Sequence, residues 1–185
     1  MNAKKFLTNL KGHFYTITKH RHEVMKNCFK AGIIFQGLTH DLSKYSPTEF
    51  IVGVTHYQGT RSPNEGERED YGYSKAWMHH KGRNRHHFEY WTDYDPKTKM
   101  LLPIEMPKKY VIEMFCDRVA ASKVYKGDKY TRKSSIEYYR NGIDRRKIHP
   151  KTAKELEGLL TMLAEKGEKY TFAHIRRARF LGKDL

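Results

Sequence analysis

The stretch AGIIFQGLTHDLSKYSPTEF, Ala31 to Phe50, sets an adjacent histidine and aspartate, His40 and Asp41, at the end of an apolar segment. Ile33, Ile34, Leu38 and Leu42 recur at helical spacing, which predicts a helix over residues 33–44 that stops before Pro47. Pro47 lacks an amide hydrogen and is well placed to open a further helix over 48–58. Upstream, Phe14, Ile17, Val24 and Phe29 predict a helix running to about Lys30, with Gly32 as its stop. Apolar neighbours pull the His-Asp pair inward, and a buried aspartate is costly unless a cation or several hydrogen bonds compensate it. A metal ion is one such compensation, and adjacent imidazole and carboxylate ligands suit a catalytic divalent or iron site.

His20, in KHRHEV, precedes Gly32 by twelve residues and His40 follows it by eight. Those separations are about 18 Å and 12 Å along helices rising roughly 1.5 Å per residue, so an antiparallel pair can bring the two histidines together. The rest of the chain also reads as helical, with no convincing strand alternation. Residues 58–72, QGTRSPNEGEREDYG, read as an exposed loop and a candidate lid. Ser74 can cap a helix that Gly82 and Asn84 interrupt. TDYDPKTKMLLP reads as a connection, and Pro107 opens a long helix whose stripe is Tyr110, Met114, Phe115, Val119 and Val124. Further helices are predicted over 134–140, 150–166 and 171–181. With no internal repeat, one all-α domain over 1–185 is the simplest architecture, its metal site lying between central helices.

A second stretch, WMHHKGRNRHHFEYW, Trp77 to Trp91, carries two histidine doublets, His79–His80 and His86–His87. Its spacing turns Trp77, Phe88 and Trp91 toward the core, while the four histidines are candidate metal ligands of which at least two are expected to serve. Lys81, Arg83 and Arg85 are candidate phosphate contacts, and Glu89 reads as an i, i+4 partner of Arg85. His13, His56, His149 and His174 read as structural.

His20, GLTHDLSK and the aspartate of MFCDRVAAS, Asp117, resemble the HD superfamily of metal-dependent phosphohydrolases, whose signature is a histidine, a His-Asp doublet and a distant aspartate on separate helices. The resemblance implies an HD-type helical bundle in which His20, His40, Asp41 and Asp117 hold one metal. His22 competes with His20 for the first position. Members with two metals add histidines from the intervening helices, so His79 or His80, with His86 or His87, would complete a second shell bridged by Asp41. On this reading the cofactor is one or two divalent transition ions, Mn, Fe, Co, Ni or Zn. Lys44 would contact substrate phosphate, and Glu49 would orient an imidazole. The continuation SKYSPTEF departs from the commoner glycine-lysine continuation of HD enzymes. HDLSKYSPTEF and HHKGRNRHHFEYW also resemble a family of uncharacterised proteins over about residues 15–125, with 126–185 as basic C-terminal helices packed on that region.

Composition bounds the partners. Thirty-six Lys and Arg against 21 Asp and Glu give a net charge of +15, which favours polyanions and phosphorylated substrates without choosing among them. No long apolar run or signal-like segment is present, so a cytoplasmic protein without a membrane partner is expected, with Cys28 and Cys116 as reduced core thiols. The leading function is hydrolysis of a nucleotide or another phosphorylated small molecule. A di-iron oxygenase on the same scaffold is one alternative. A non-catalytic nucleic-acid-binding module is another, since residues 118–147 carry ten Lys and Arg against three Asp and Glu, interleaved with tyrosines.

Overall fold

A computed structural model describes residues 1–142, 147–182 and 185. Its first helix, α1 (Ala3–Ala31), ends where Gly32 takes a left-handed conformation, φ 77°, and donates its amide to the Cys28 and Phe29 carbonyls. The buried face of α1 runs through Asn9, His13, Ile17, His20, Val24, Asn27, Cys28 and Ala31 at three- and four-residue steps. That stripe keeps Ile17 and Val24 of the predicted one but leaves Phe14 and Phe29 exposed. The inward positions near the site are polar because the groups they meet are polar.

Helix α2 (Ile34–Thr39) folds back against α1 at Gly37, where a β-carbon would lie 2.7 Å from Cys28 Cβ and 3.4 Å from the Met25 backbone. Only hydrogen fits there, so Gly37 sets how near the His-Asp turn lies to His20. The helix stops at Thr39 rather than continuing to Lys44. Asp41 takes a left-handed conformation, φ 54° and ψ 24°, and a short 3-10 turn follows over Leu42–Tyr45. Adjacent residues on an α-helix point about 100° apart, so the break is what lets His40 and Asp41 both face inward. It also turns Ile34, Leu38 and Leu42 outward, leaving Ile33 as the buried member of the predicted set.

Ser46, extended before Pro47, leads into α3 (Pro47–Thr55). The predicted loop over 58–72 contains a helix, α4 (Pro63–Tyr71), with Pro63 in its first turn and Gly72 as a left-handed stop. Its sequence is polar on nearly every side, and its anchor is a buried glutamate: Glu67 accepts hydrogen bonds from Ser74 Oγ and, at 3.2 Å, from the Ala76 amide. Ser74 also caps α5 (Lys75–Arg83) by accepting from the Trp77 amide at 2.9 Å. That helix ends at Asn84, within the interruption expected at Gly82 and Asn84.

The expected connection over TDYDPKTKMLLP is an antiparallel hairpin, β1 (Thr92–Asp95) paired with β2 (Met100–Pro103), Thr92 opposite Pro103 and Asp95 opposite Met100. Both strands are exposed and four residues long, so no inward-outward alternation marks them. The rest is helical: α6 (Lys108–Lys126), α7 (Ser134–Arg140) and α8 (Pro150–Phe180). At Gly167, φ 79° and ψ 173°, α8 is broken, matching the two helices predicted there. No helix among the described residues is long and apolar enough to cross a membrane.

Helix α6 is the axis of the molecule. Val111 through Cys116 are buried on every side, with α1 and α8 packed against them, so no one-sided stripe marks it. Leu156, Leu159, Leu160 and Leu163 of α8 fill the opposite face, and Cys28 and Cys116 are free thiols in the interior. Asn27 donates to the Cys116 carbonyl at 3.1 Å, tying α1 to α6 one residue before Asp117. Replacing Gly37 with alanine forces α2 off α1 and should lower stability by about 1–3 kcal/mol, read from the urea midpoint. An unchanged midpoint would show that the contact is not close-packed.

Candidate metal centre

Five segments deliver polar side chains to one interior point. His20 comes from the buried face of α1, and His40 and Asp41 from the break after α2. His80 comes from α5, His86 and His87 from the turn that follows it, and Asp117 from α6. His40 and Asp41 are each 1% exposed, so bulk water does not solvate them.

The two oxygens of Asp41 face different groups. Oδ2 lies 3.2 Å from His40 Nε2 and 3.8 Å from His20 Nε2, and Asp117 Oδ1 closes that set at 2.9 Å from His20 Nε2. Oδ1 lies 3.3 Å from His80 Nε2 and 3.5 Å from His86 Nε2, while His80 Nε2 and His87 Nε2 are 2.9 Å apart. His20, His40, Asp41 and Asp117 form one group of donor atoms lying within 4.8 Å of one another, and Asp41, His80, His86 and His87 form another. Either could hold a metal ion, and Asp41 belongs to both. The test of that fit is hydrogen bonding: His20 Nε2, His40 Nε2, His86 Nε2 and Asp41 Oδ1 are buried without a hydrogen-bond partner. Buried polar atoms are rarely left so, and here they converge.

Two glutamates hold the rings from behind. Glu113 Oε1 lies 3.0 Å from His40 Nδ1 and 3.2 Å from His86 Nδ1, reaching one imidazole of each group. Glu49 lies 2.8 Å from His80 Nδ1 and 2.6 Å from His79 Nδ1. A carboxylate accepts, so these contacts place a proton on each Nδ1 and turn the Nε2 atoms of His40, His80 and His86 toward Asp41, where loss of any Nε2 proton frees a lone pair for a metal. His40, His86 and Glu113 make a third grouping of donor atoms, but it lies on the other edge of the two rings.

The electrostatics favour a cation. Burial alone would push the His40 imidazole down, yet Asp41, Asp117 and Glu113 together hold it well above its usual range. Burial would push Asp41 up, but His40, Lys44 and His80 keep it well below, and His20 and His40 do the same for Asp117. His87 is held well below its usual range by burial and by neighbouring His86 and His80, which keeps it a neutral donor.

One side opens to solvent. A cleft of about 940 Å³ reaches His20, His87 and Asp117 and is lined by Lys44, Arg61, Lys81, Lys126 and Lys147, with Trp77, Tyr125 and Tyr138 among its aromatic walls. Lys44 Nζ lies 2.6 Å from Asp41 Oδ2, and Asp41 and Asp117 raise its pKa against the effect of burial.

Of the residues singled out in the sequence, the structure brings His20, His40, Asp41, His80, His86, His87 and Asp117 together, with Lys44, Lys81 and Glu49 around them. It does not bring in His79, whose Nδ1 faces Glu49, or His22, which is exposed on α1. Arg83 and Arg85 are turned away from the cleft, toward the His79 carbonyl and the Tyr110 hydroxyl. Trp77 is turned from the core to the site, its ring 5.7 Å from His80 and 4.8 Å from His87, whereas Phe88 is buried as expected. His13 is buried against Phe50 and Tyr57, with burial and then Lys44 lowering its pKa to about 4. His149 caps α8. Glu113 was not foreseen, although its position one turn before Asp117 on an apolar helix places both carboxylates on one face.

A family model described as a family of unknown function (DUF5662) matches residues 9–162, wider at both ends than the 15–125 span suggested by the motifs. No curated protein and no solved structure matches the chain.

Elemental analysis of protein purified without added metal should find a transition metal, and His40→Ala or Asp41→Ala should remove most of it. Full occupancy in both variants would eliminate the site. Glu113→Gln keeps the shape but loses the charge behind two ligands, and should weaken metal affinity roughly 10- to 100-fold in a competition titration with a chelating dye.

Proposed function

We propose that this chain, which belongs to the family of unknown function DUF5662, is a metal-dependent phosphohydrolase of the HD type acting on a nucleotide or another phosphorylated small molecule. The observation that carries this reading is the shared carboxylate of Asp41, set between two groups of donor atoms, beside a basic cleft that reaches His20, His87 and Asp117. Metal ions bound there would lower the pKa of a coordinated water and offset charge developing on a transferred phosphoryl group.

The protein's own groups supply the rest. Lys44 stands between the cleft and Asp41, where its ammonium can meet a phosphate oxygen while remaining paired to the carboxylate. Lys81, Arg61, Lys126 and Lys147 extend positive charge along the cleft and suit further anionic groups of the substrate. Trp77, Tyr125 and Tyr138 offer flat apolar surface to the uncharged part. Glu113 and Glu49 fix the imidazoles, so little reorganisation is needed on binding. Asp41 and Glu49 thus serve as ligand and orienting group, with Lys44 as the substrate contact.

Phosphate release should be measured over a panel of nucleotides and sugar phosphates with Mn, Fe, Co, Ni or Zn added in turn. Activity toward at least one ester is expected. It should be abolished in Asp41→Ala and lowered about 10- to 100-fold in kcat/KM by Lys44→Ala, the loss of one charge-assisted contact. An iron-loaded protein that consumes oxygen but releases no phosphate would replace this reading with the di-iron oxygenase. Tight, salt-sensitive nucleic-acid binding, indifferent to chelation and to His40→Ala, would replace it with a binding module.

A further inference from the structure

Arg83 and Arg85, prominent in the RNR segment between the histidine doublets, have no place in the cleft. They line a second recess of about 260 Å³ together with Lys109, its other walls including Phe35, Tyr110 and Glu113. No residue lines both openings. His86 forms part of the recess, so it approaches the metal centre from the Glu113 side, behind the ring edge that faces Asp41.

Many cations on this surface have carboxylate partners: Lys30 with Glu168, Arg61 with Glu69, Arg140 with Glu157 and Lys151 with Glu105. Among the described residues, Arg83, Arg85 and Lys109 have none. Their contacts are to neutral groups. Arg83 donates to the His79 carbonyl at 3.4 Å, Arg85 reaches the Tyr110 hydroxyl at 3.5 Å, and Lys109 lies 4.9 Å over the Tyr110 ring. Glu113, the acid in the wall, is already engaged by His40 and His86.

Three like charges around one concavity repel one another unless an anion joins them. We propose that this recess is a second anion-binding site, taking the phosphate group of a small molecule, separate from the cleft of the metal centre. The chemistry favours phosphate over a carboxylate: two guanidinium forks and an ammonium match a multiply charged tetrahedral group, whereas one carboxylate leaves much of the charge uncompensated. The site does not depend on a bound metal, and it stands whether or not the cleft hydrolyses phosphate esters.

The test is calorimetric titration of the full chain, stripped of metal by chelation, with inorganic phosphate at low salt. The recess should take one equivalent, counted in the Lys44→Ala, Lys81→Ala variant so that the cleft contributes nothing. In that background the affinity should fall roughly tenfold or more, at least 1.4 kcal/mol, when Arg83→Glu and Arg85→Glu are added. Lys109→Glu, a single change on the exposed start of α6, gives an independent reading if the combined variant unfolds in a thermal melt. Absence of phosphate binding, or binding that disappears with the Lys44 and Lys81 pair but survives the changes in the recess, overturns the proposal.

Discussion

Asp41 holds a negative charge in the interior, and much of the structure around it follows from that constraint. An ionised carboxylate removed from water costs several kcal/mol unless opposite charge and hydrogen bonds surround it. Here His40 and Lys44 lie against one oxygen and His80 against the other, and together they hold the carboxyl well below its usual range. The backbone accommodates the same demand. Asp41 sits in the left-handed region, which aspartate tolerates better than most side chains, and this is where α2 gives way to a 3-10 turn. Backbone strain of this kind is found here at the centre of the cluster of candidate metal donors.

The large helices make that point rigid. Helix α6 is enclosed between α1 and α8, so Glu113 and Asp117, one turn apart, can only face the polar cavity or be buried unpaired. Gly37 draws α2 onto α1, and Asn27 ties α1 to α6 beside Asp117. The donors reach one cavity from separate elements, each fixed by apolar packing on its other side. Glu113 and Glu49 then orient the imidazoles, and a carboxylate behind a ring is as much a part of the centre as the ring itself.

The candidate centre was legible in the sequence where a residue's neighbours were informative. His40 and Asp41 stood out because two polar residues end an apolar run, whereas Asp117 came from the resemblance to the distant aspartate of the HD signature. Glu113 sits one turn before that aspartate on the apolar helix and carried a signal of the same kind as His40 and Asp41. The doublets were harder. His79 and His80 are adjacent on α5, so they point in different directions, and the choice of His80 depends on which face of α5 meets Glu49 and Asp41. His86 and His87 lie beyond the helix end, where no periodicity applies, and both turn inward. The polar helix α4 and the exposed hairpin lacked the one-sided apolar pattern by which helices and strands are read.

The sequence by itself determined the helical character, the stop at Gly32, the helix start at Pro47, the cap at Ser74 and most of the candidate donors. Each of these depends on a residue's own chemistry or on neighbours within one or two turns. The tertiary structure alone decided that Asp41 divides its oxygens between two groups, that Glu113 spans them from behind, that Trp77 faces the site, and that Arg83 and Arg85 open a separate recess. Those are relations between segments distant along the chain, and they are fixed by which helix faces pack together.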